Sequence, residues 1–274
     1  MYRTDGDPFM APLGETEFAN GIAAMSASNS YGPARVCAGI VGFADLTQGS
    51  RVDQLLEAHL RASNRFRGLR HCASWDADQS IRSTPMEFPK GLLLDRRFRE
   101  GFGRLQQYSL SFDCWIYHPQ IPELADLARA FPHTPIILNH LGAPLAVGAY
   151  AGKSKEVFEV WRQGIQTLSQ CPNAYIKLGG MGMHLFGFDF ERRQIPPSSE
   201  DLAATWRTYV ETCIEAFGPN RCMFESNFPV DKRSYSYAVL WNAFKRLAMN
   251  YATDEKTALL CETARRVYRL EQGV

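Results

Sequence analysis

Residues 110–140 read "LSFDCWIYHPQIPELADLARAFPHTPIILNH". Two short apolar runs, 110–118 and 134–140, flank a stretch in which Leu124, Leu127, Ala128 and Phe131 recur at helical spacing, with Pro122 suited to a first helical turn. Runs that are apolar almost throughout are strands buried on both faces, and two such strands joined by a helix lie parallel. The unit decides the fold class. Both of its strands end in a histidine, His118 and His140, and parallel strands carry such residues to one rim.

The rest of the chain repeats this unit. Further strands are predicted at 35–43, 66–72, 173–180 and 221–228. Helical stripes fall on Val52, Leu55, Leu56 and Leu60; on Val157, Phe158, Trp161, Ile165 and Leu168; and on Leu202, Trp206, Tyr209, Val210, Cys213, Ile214 and Phe217, the last stopped by Gly218-Pro219. Thr253 with Asp254 and Glu255 reads as the cap and acidic first turn of a final helix. With no linker, repeat or low-complexity segment, residues 1–274 are expected to form one α/β domain. Six strands fall short of the eight in a closed barrel, and the first 34 residues offer at most one poor candidate. The sheet is therefore either open and doubly wound, or a barrel lacking its beginning. The least regular stretches are 1–30, 73–95 and 181–200, and the last two follow strands, where parallel α/β folds build their sites.

At 274 residues, 45% hydrophobic and 22% charged, the chain is globular rather than disordered. Net charge is +1, and even the densest basic stretch, "LLLDRRFREGFGR", is interrupted by Asp95 and Glu100, so neither nucleic acid nor an anionic membrane is an expected partner. A small-molecule substrate is expected instead, with a homo-oligomer compatible with the sequence. The seven cysteines are dispersed, with no Cys-x-x-Cys, which argues against a zinc ribbon or a disulfide framework. No signal-like apolar core or membrane-spanning run occurs, and a reducing cytoplasm is the expected compartment.

His71, His118 and His140 all sit at strand ends, where imidazoles can bind metal or move protons. Strict alternation groups His140 with Leu138 and Ile136, and His118 with Ile116 and Cys114, so that both would point inward. His59, in a helical stripe, and His133, in a loop, read as structural, while His184 stays open. Arg70 and Lys177 are charges inside apolar strands, placements that demand a partner: a substrate carboxylate, or an internal ion pair with Glu225 or Asp231. In "CMFESNFPVDK", residues 222–232, Glu225 and Asn227 share a parity at the last strand's end, Asp231 lies close by, and Pro229 stops the sheet.

Together "RVCAGIVGFADL", "NRFRGLRH", "FDCWIYHPQ", "IILNHLGAP", "YIKLGG", "CMFESNFPVDK" and "TALLCETARRVYRL" make the chain resemble the amidohydrolase superfamily, specifically the amidohydrolase 2 group with its 2-pyrone-4,6-dicarboxylate lactonase-like metal-dependent hydrolases. The resemblance implies a (β/α)8 TIM-type barrel in which the six strands are the third to the eighth. It implies His118 as a metal ligand, His140 as the group that positions or deprotonates the attacking water, and Asn227 where an aspartate is usual. Asp231 or Glu225 would then supply the missing carboxylate, with Arg70, His71 or Lys177 holding substrate carboxylates. A divalent metal such as zinc or manganese is the implied cofactor, yet the family's His-x-His pair is absent, and asparagine cannot accept a proton as a carboxylate does. The expected activity is hydrolysis of a lactone, amide or ester bond in a small carboxylated compound. The alternatives are a decarboxylase of the same superfamily, or a truncated, non-catalytic chain.

Overall fold

Six strands form where the apolar runs predict them, each no longer than its run: β1 Ile40–Gly42, β2 Phe66–Cys72, β3 Ser111–Trp115, β4 Ile136–Leu138, β5 Ala174–Leu178 and β6 Cys222–Phe224. The computed structural model describes residues 1–81 and 86–270, so part of the irregular 73–95 segment lies outside the described residues. The strands pair in parallel and in chain order, each beside its predecessor, as right-handed crossovers through helices dictate. This is an α/β sheet of the TIM-barrel type. Cys37 shortens the first run by adopting φ 55°, a left-handed conformation that extended backbone cannot accommodate.

The helices follow the apolar stripes: α1 Leu13–Ala27, α2 Val52–Ala62, α3 Arg96–Gly103, α4 Ile121–Ala130, α5 Ser154–Ser169, α6 Ser199–Phe217, α7 Tyr237–Leu247, α8 Thr253–Thr257 and α9 Thr263–Val267. Asp95 caps α3 by accepting from the Phe98 N–H, and Gly218, at φ 74°, ends α6. Thr253 is the first residue of α8 rather than its cap. The Glu255 carboxylate, at the third helical position, reaches back to accept from the Ala252 N–H at 2.8 Å and so satisfies the backbone donor of the residue before the helix.

The two faces of the sheet differ in chemistry. Phe112, Cys114, Ile136, Leu138, Ile176, Leu178, Cys222 and Phe224 pack into the main core with the helices, including Leu124, Trp161, Trp206 and Phe244. The opposite, concave face carries Asp113, Lys177 and a small separate cluster of Ile137 and Met223, which Val267 of α9 covers together with Tyr175 and Tyr268. The C-terminal segment thus fills part of the concave face. At the other end of the sheet, α1 and α2 close over β1. The buried His59 ring donates from Nε2 to the Phe43 carbonyl at 3.1 Å and accepts the Thr16 hydroxyl at Nδ1 at 2.8 Å, the structural role read for it. Among the described residues no helix is long and apolar enough to cross a membrane.

Candidate active site

β4 does not deliver His140 by strand alternation. The chain leaves extended conformation after Leu138, and His140, Leu141, Gly142 and Ala143 run consecutively at φ 53°, 55°, 69° and 40°. Left-handed backbone costs an L-residue about 1–2 kcal/mol, so the turn persists only because its surroundings fix it. The Trp161 indole donates to the Leu141 carbonyl at 2.7 Å, the His118 N–H to the Ala143 carbonyl at 3.3 Å, and the Leu145 N–H to His118 Nδ1 at 3.3 Å. Gly142 is required by its surroundings as well as its φ, because a Cβ there would meet Ile121 at 2.9 Å. His118, expected as a metal ligand, instead holds this turn in place. Burial lowers its pKa to about 4, against weaker opposing effects from the Ala143 backbone and Asp76, so the ring is neutral.

The turn aims His140 at Glu225. Its backbone N–H donates to Glu225 Oε1 at 3.1 Å, and its ring Nδ1 contacts the same oxygen. On the other side, Nε2 lies 3.2 Å from the Arg70 guanidinium. Arginine has no acceptor, so Nε2 must accept and the ring proton sits on Nδ1, facing the carboxylate. Trp115 sets its ring edge-on to the imidazole, with centroids 4.8 Å apart, and Gly180, at φ +76°, leaves the space that a Cβ only 2.6 Å from Nδ1 would occupy. Burial alone would raise the Glu225 pKa. The neighbouring His140, its hydrogen bond, Lys177 and Arg70 together outweigh this and hold it at about 2.

Behind the pair lies a chain of buried charges. Lys177 donates to Asp113 at 2.5 Å and reaches Glu225 Oε2 at 3.9 Å, with its ammonium 5.4 Å from the centre of the Tyr268 ring. The Tyr268 hydroxyl donates to the Asp113 carboxylate, 2.8 and 3.0 Å from its two oxygens. Burial disfavours the Lys177 ammonium, yet Asp113, Tyr268 and Glu225 raise its pKa overall, so it remains charged. Burial and Asp113 likewise keep Tyr268 protonated.

The structure brings Arg70, His140, Glu225 and Lys177 together and sets other expected residues apart. Lys177 is partnered internally by Asp113 rather than left facing a ligand. His71 points to the opposite face of β2, where its ring packs on Phe43, Phe88 and Phe98, since successive strand residues alternate and Arg70 takes the concave side. Asn227, at φ 52°, turns away from the parity it would share with Glu225 and donates from Nδ2 to Asp231 at 2.8 Å. Asp231 is buried and also accepts from the Tyr235 hydroxyl at 2.5 Å and the Gly182 N–H at 3.2 Å, which makes it a brace for the two loops rather than a group facing a ligand. Its burial raises its pKa in spite of these donors. His184 lines a separate cavity of about 560 Å³ with Glu191, Arg192 and Arg233. Asp113 and Tyr268 escaped the sequence reading, although an aspartate inside the apolar run "SFDCW" is the same signal that singled out Arg70 and Lys177.

Beside Arg70 opens a cavity of about 520 Å³, walled by Tyr2, Phe18, Ile40, Phe43 and Phe88, with Glu15 as its acidic lining residue. Its size suits a small molecule. The donor set does not suit a metal. Among the described residues, no three of histidine, cysteine, aspartate or glutamate converge on a point that could hold an ion. His140 Nε2 faces a guanidinium, Glu225 is taken up by His140, and His118 Nδ1 accepts from Leu145.

Residues 32–270 match the family model described as Amidohydrolase. The uncharacterized protein y4mH of Sinorhizobium fredii is 36% identical over 94% of this chain and 76% of its own length. The L-fucono-1,5-lactonase of Burkholderia multivorans is 29% identical over 87% of this chain and 73% of its own length. A crystal structure of an amidohydrolase from Burkholderia multivorans with bound zinc superposes with a TM-score of 0.74 at 24% identity, covering 94% of this chain and 80% of that one.

Proposed function

Because the chain belongs to the amidohydrolase family, and is a hydrolase, we propose that it opens a lactone, amide or ester bond of a small carboxylated compound with water activated at His140. The observation that carries this reading is the Glu225–His140–Arg70 contact beside an apolar-walled cavity. Amidohydrolases generally use a divalent metal, and a zinc-bound structure shares this fold, but the residues here form no matching ligand set, so each step is assigned to side chains.

Glu225 keeps the Nδ1 proton and leaves the Nε2 lone pair as the base. A water held at Nε2 adds its oxygen to the substrate carbonyl carbon while its proton passes to Nε2. The resulting imidazolium is stabilised by Glu225, which stays a carboxylate because its pKa is held at about 2. When the tetrahedral intermediate collapses, the carbon to leaving-atom bond breaks and Nε2 returns the proton to the departing alkoxide or amine. Arg70 supplies the positive charge for an anionic group of the substrate.

The relatives named as lactonases favour a lactone within this class. Acid release from a panel of lactones, with and without a carboxylate, tests the reading. We expect turnover that His140→Asn reduces by about 10² to 10⁴, with the fold retained. Wild-type protein that releases no acid from lactones, esters or amides would remove the proposal.

A further inference from the structure

His140 Nε2 is the atom the proposed chemistry needs free, and in this structure it is not free. The Arg70 guanidinium donates to it at 3.2 Å. Glu225 fixes the tautomer from the other side, so the lone pair that Arg70 covers is the only basic one on the ring. Arg70 itself is exposed, and among the described residues no carboxylate forms an ion pair with it. Its stem rises from β2 into the cavity of about 520 Å³ whose walls are largely apolar. A guanidinium hydrogen-bonded to an imidazole, with Glu225 acting on it only from beyond ion-pair distance, has a better partner in a carboxylate that enters the cavity. Fork-to-fork pairing with a carboxylate is bidentate and roughly twice as strong as a hydrogen bond between neutral groups.

We infer that Arg70 caps His140 Nε2 in the free protein, and that a ligand carboxylate uncaps it by drawing the guanidinium into the cavity. This rests on the proposed hydrolytic reading and adds a specificity device to it. A carboxylated substrate frees the base as it binds, whereas a neutral substrate meets a base whose lone pair is occupied. Arg70 is then a specificity-determining residue as well as an anion holder. Glu15 on the α1 wall, the acidic lining residue, disfavours a second negative charge in the cavity, which favours a monocarboxylate.

The test has one arm that needs no turnover. In ¹⁵N-labelled protein, with the His140 signals identified by their loss in His140→Asn, benzoate is expected to move the Nε2 resonance while benzamide does not. In Arg70→Gln, Nε2 is expected to start from a shifted position and to ignore benzoate. An Arg70→Gln protein with the wild-type Nε2 signal, or a wild-type signal indifferent to saturating benzoate, would overturn the cap. The second arm compares hydrolysis of 4-acetoxybenzoate and phenyl acetate. Arg70→Gln should lose at least about tenfold in kcat/KM on the carboxylated ester and gain on the neutral one. Equal losses on both esters would overturn the specificity role. If the resonances behave as inferred and neither these esters nor any lactone or amide is cleaved, the cap stands and the hydrolytic reading fails.

Discussion

At the scale of single residues, the site depends on what each group is prevented from doing. Glu225 is denied protonation by the cations around it, and His140 is denied its second tautomer by Glu225 and Arg70. Gly180 belongs in the same set, since its missing side chain leaves room for the imidazole. Gly180→Ala is expected to cost about 1–2 kcal/mol for the left-handed backbone. It should also push His140 away from Glu225 and slow hydrolysis by about 10²-fold, the usual consequence of a misplacement near 1 Å. Denaturant unfolding together with steady-state kinetics checks both halves, and a variant with wild-type turnover would show that the imidazole is not confined as described. Much of this was legible in the sequence: a glutamate closing an apolar run and charges within apolar runs stand out because burying them unpaired is costly. Which partner each charge takes was not legible. Asp113 claims Lys177 through a contact 64 residues apart, and no local pattern encodes it.

At the scale of elements, apolar periodicity revealed the six strands and most helices because burial alone fixes those patterns. The left-handed turn at His140–Ala143 left almost no trace, since only Gly142 is a residue type that such backbone favours. Alternation between faces does not carry past Leu138, because the extended backbone it requires has already ended there. The turn is held partly by His118, and the α1–α2 contact by His59, both neutral imidazoles whose pKa burial lowers to about 4. In the unfolded chain these rings take up protons near pH 6.5. Below that pH the unfolded state binds more protons than the folded one, so stability is full above about pH 6.5 and falls as pH is lowered through about 4, by up to about 3 kcal/mol per histidine. Melting temperatures measured across this range should decline accordingly, and His59→Gln should flatten the decline. A melting temperature independent of pH would contradict the buried, neutral state of these rings.

At the scale of the whole molecule, one parallel sheet separates two environments: a dry layer against the helices and a charged concave face partly filled by the C-terminal segment. The strand-end rim, readable from the order of strands and helices, supplies His140 and Glu225, while Tyr268, 155 residues from Asp113, steadies the charges behind them. The central claim is that His140 and Glu225 act as one unit in hydrolysis. A double-mutant cycle on kcat with His140→Asn and Glu225→Gln addresses it directly, because residues that act together give losses that do not multiply. Each single change is predicted to lower kcat by about 10² to 10⁴, and the double variant to be no slower than the slower single one. Losses that multiply, or a Glu225→Gln enzyme with wild-type kcat, would contradict the account.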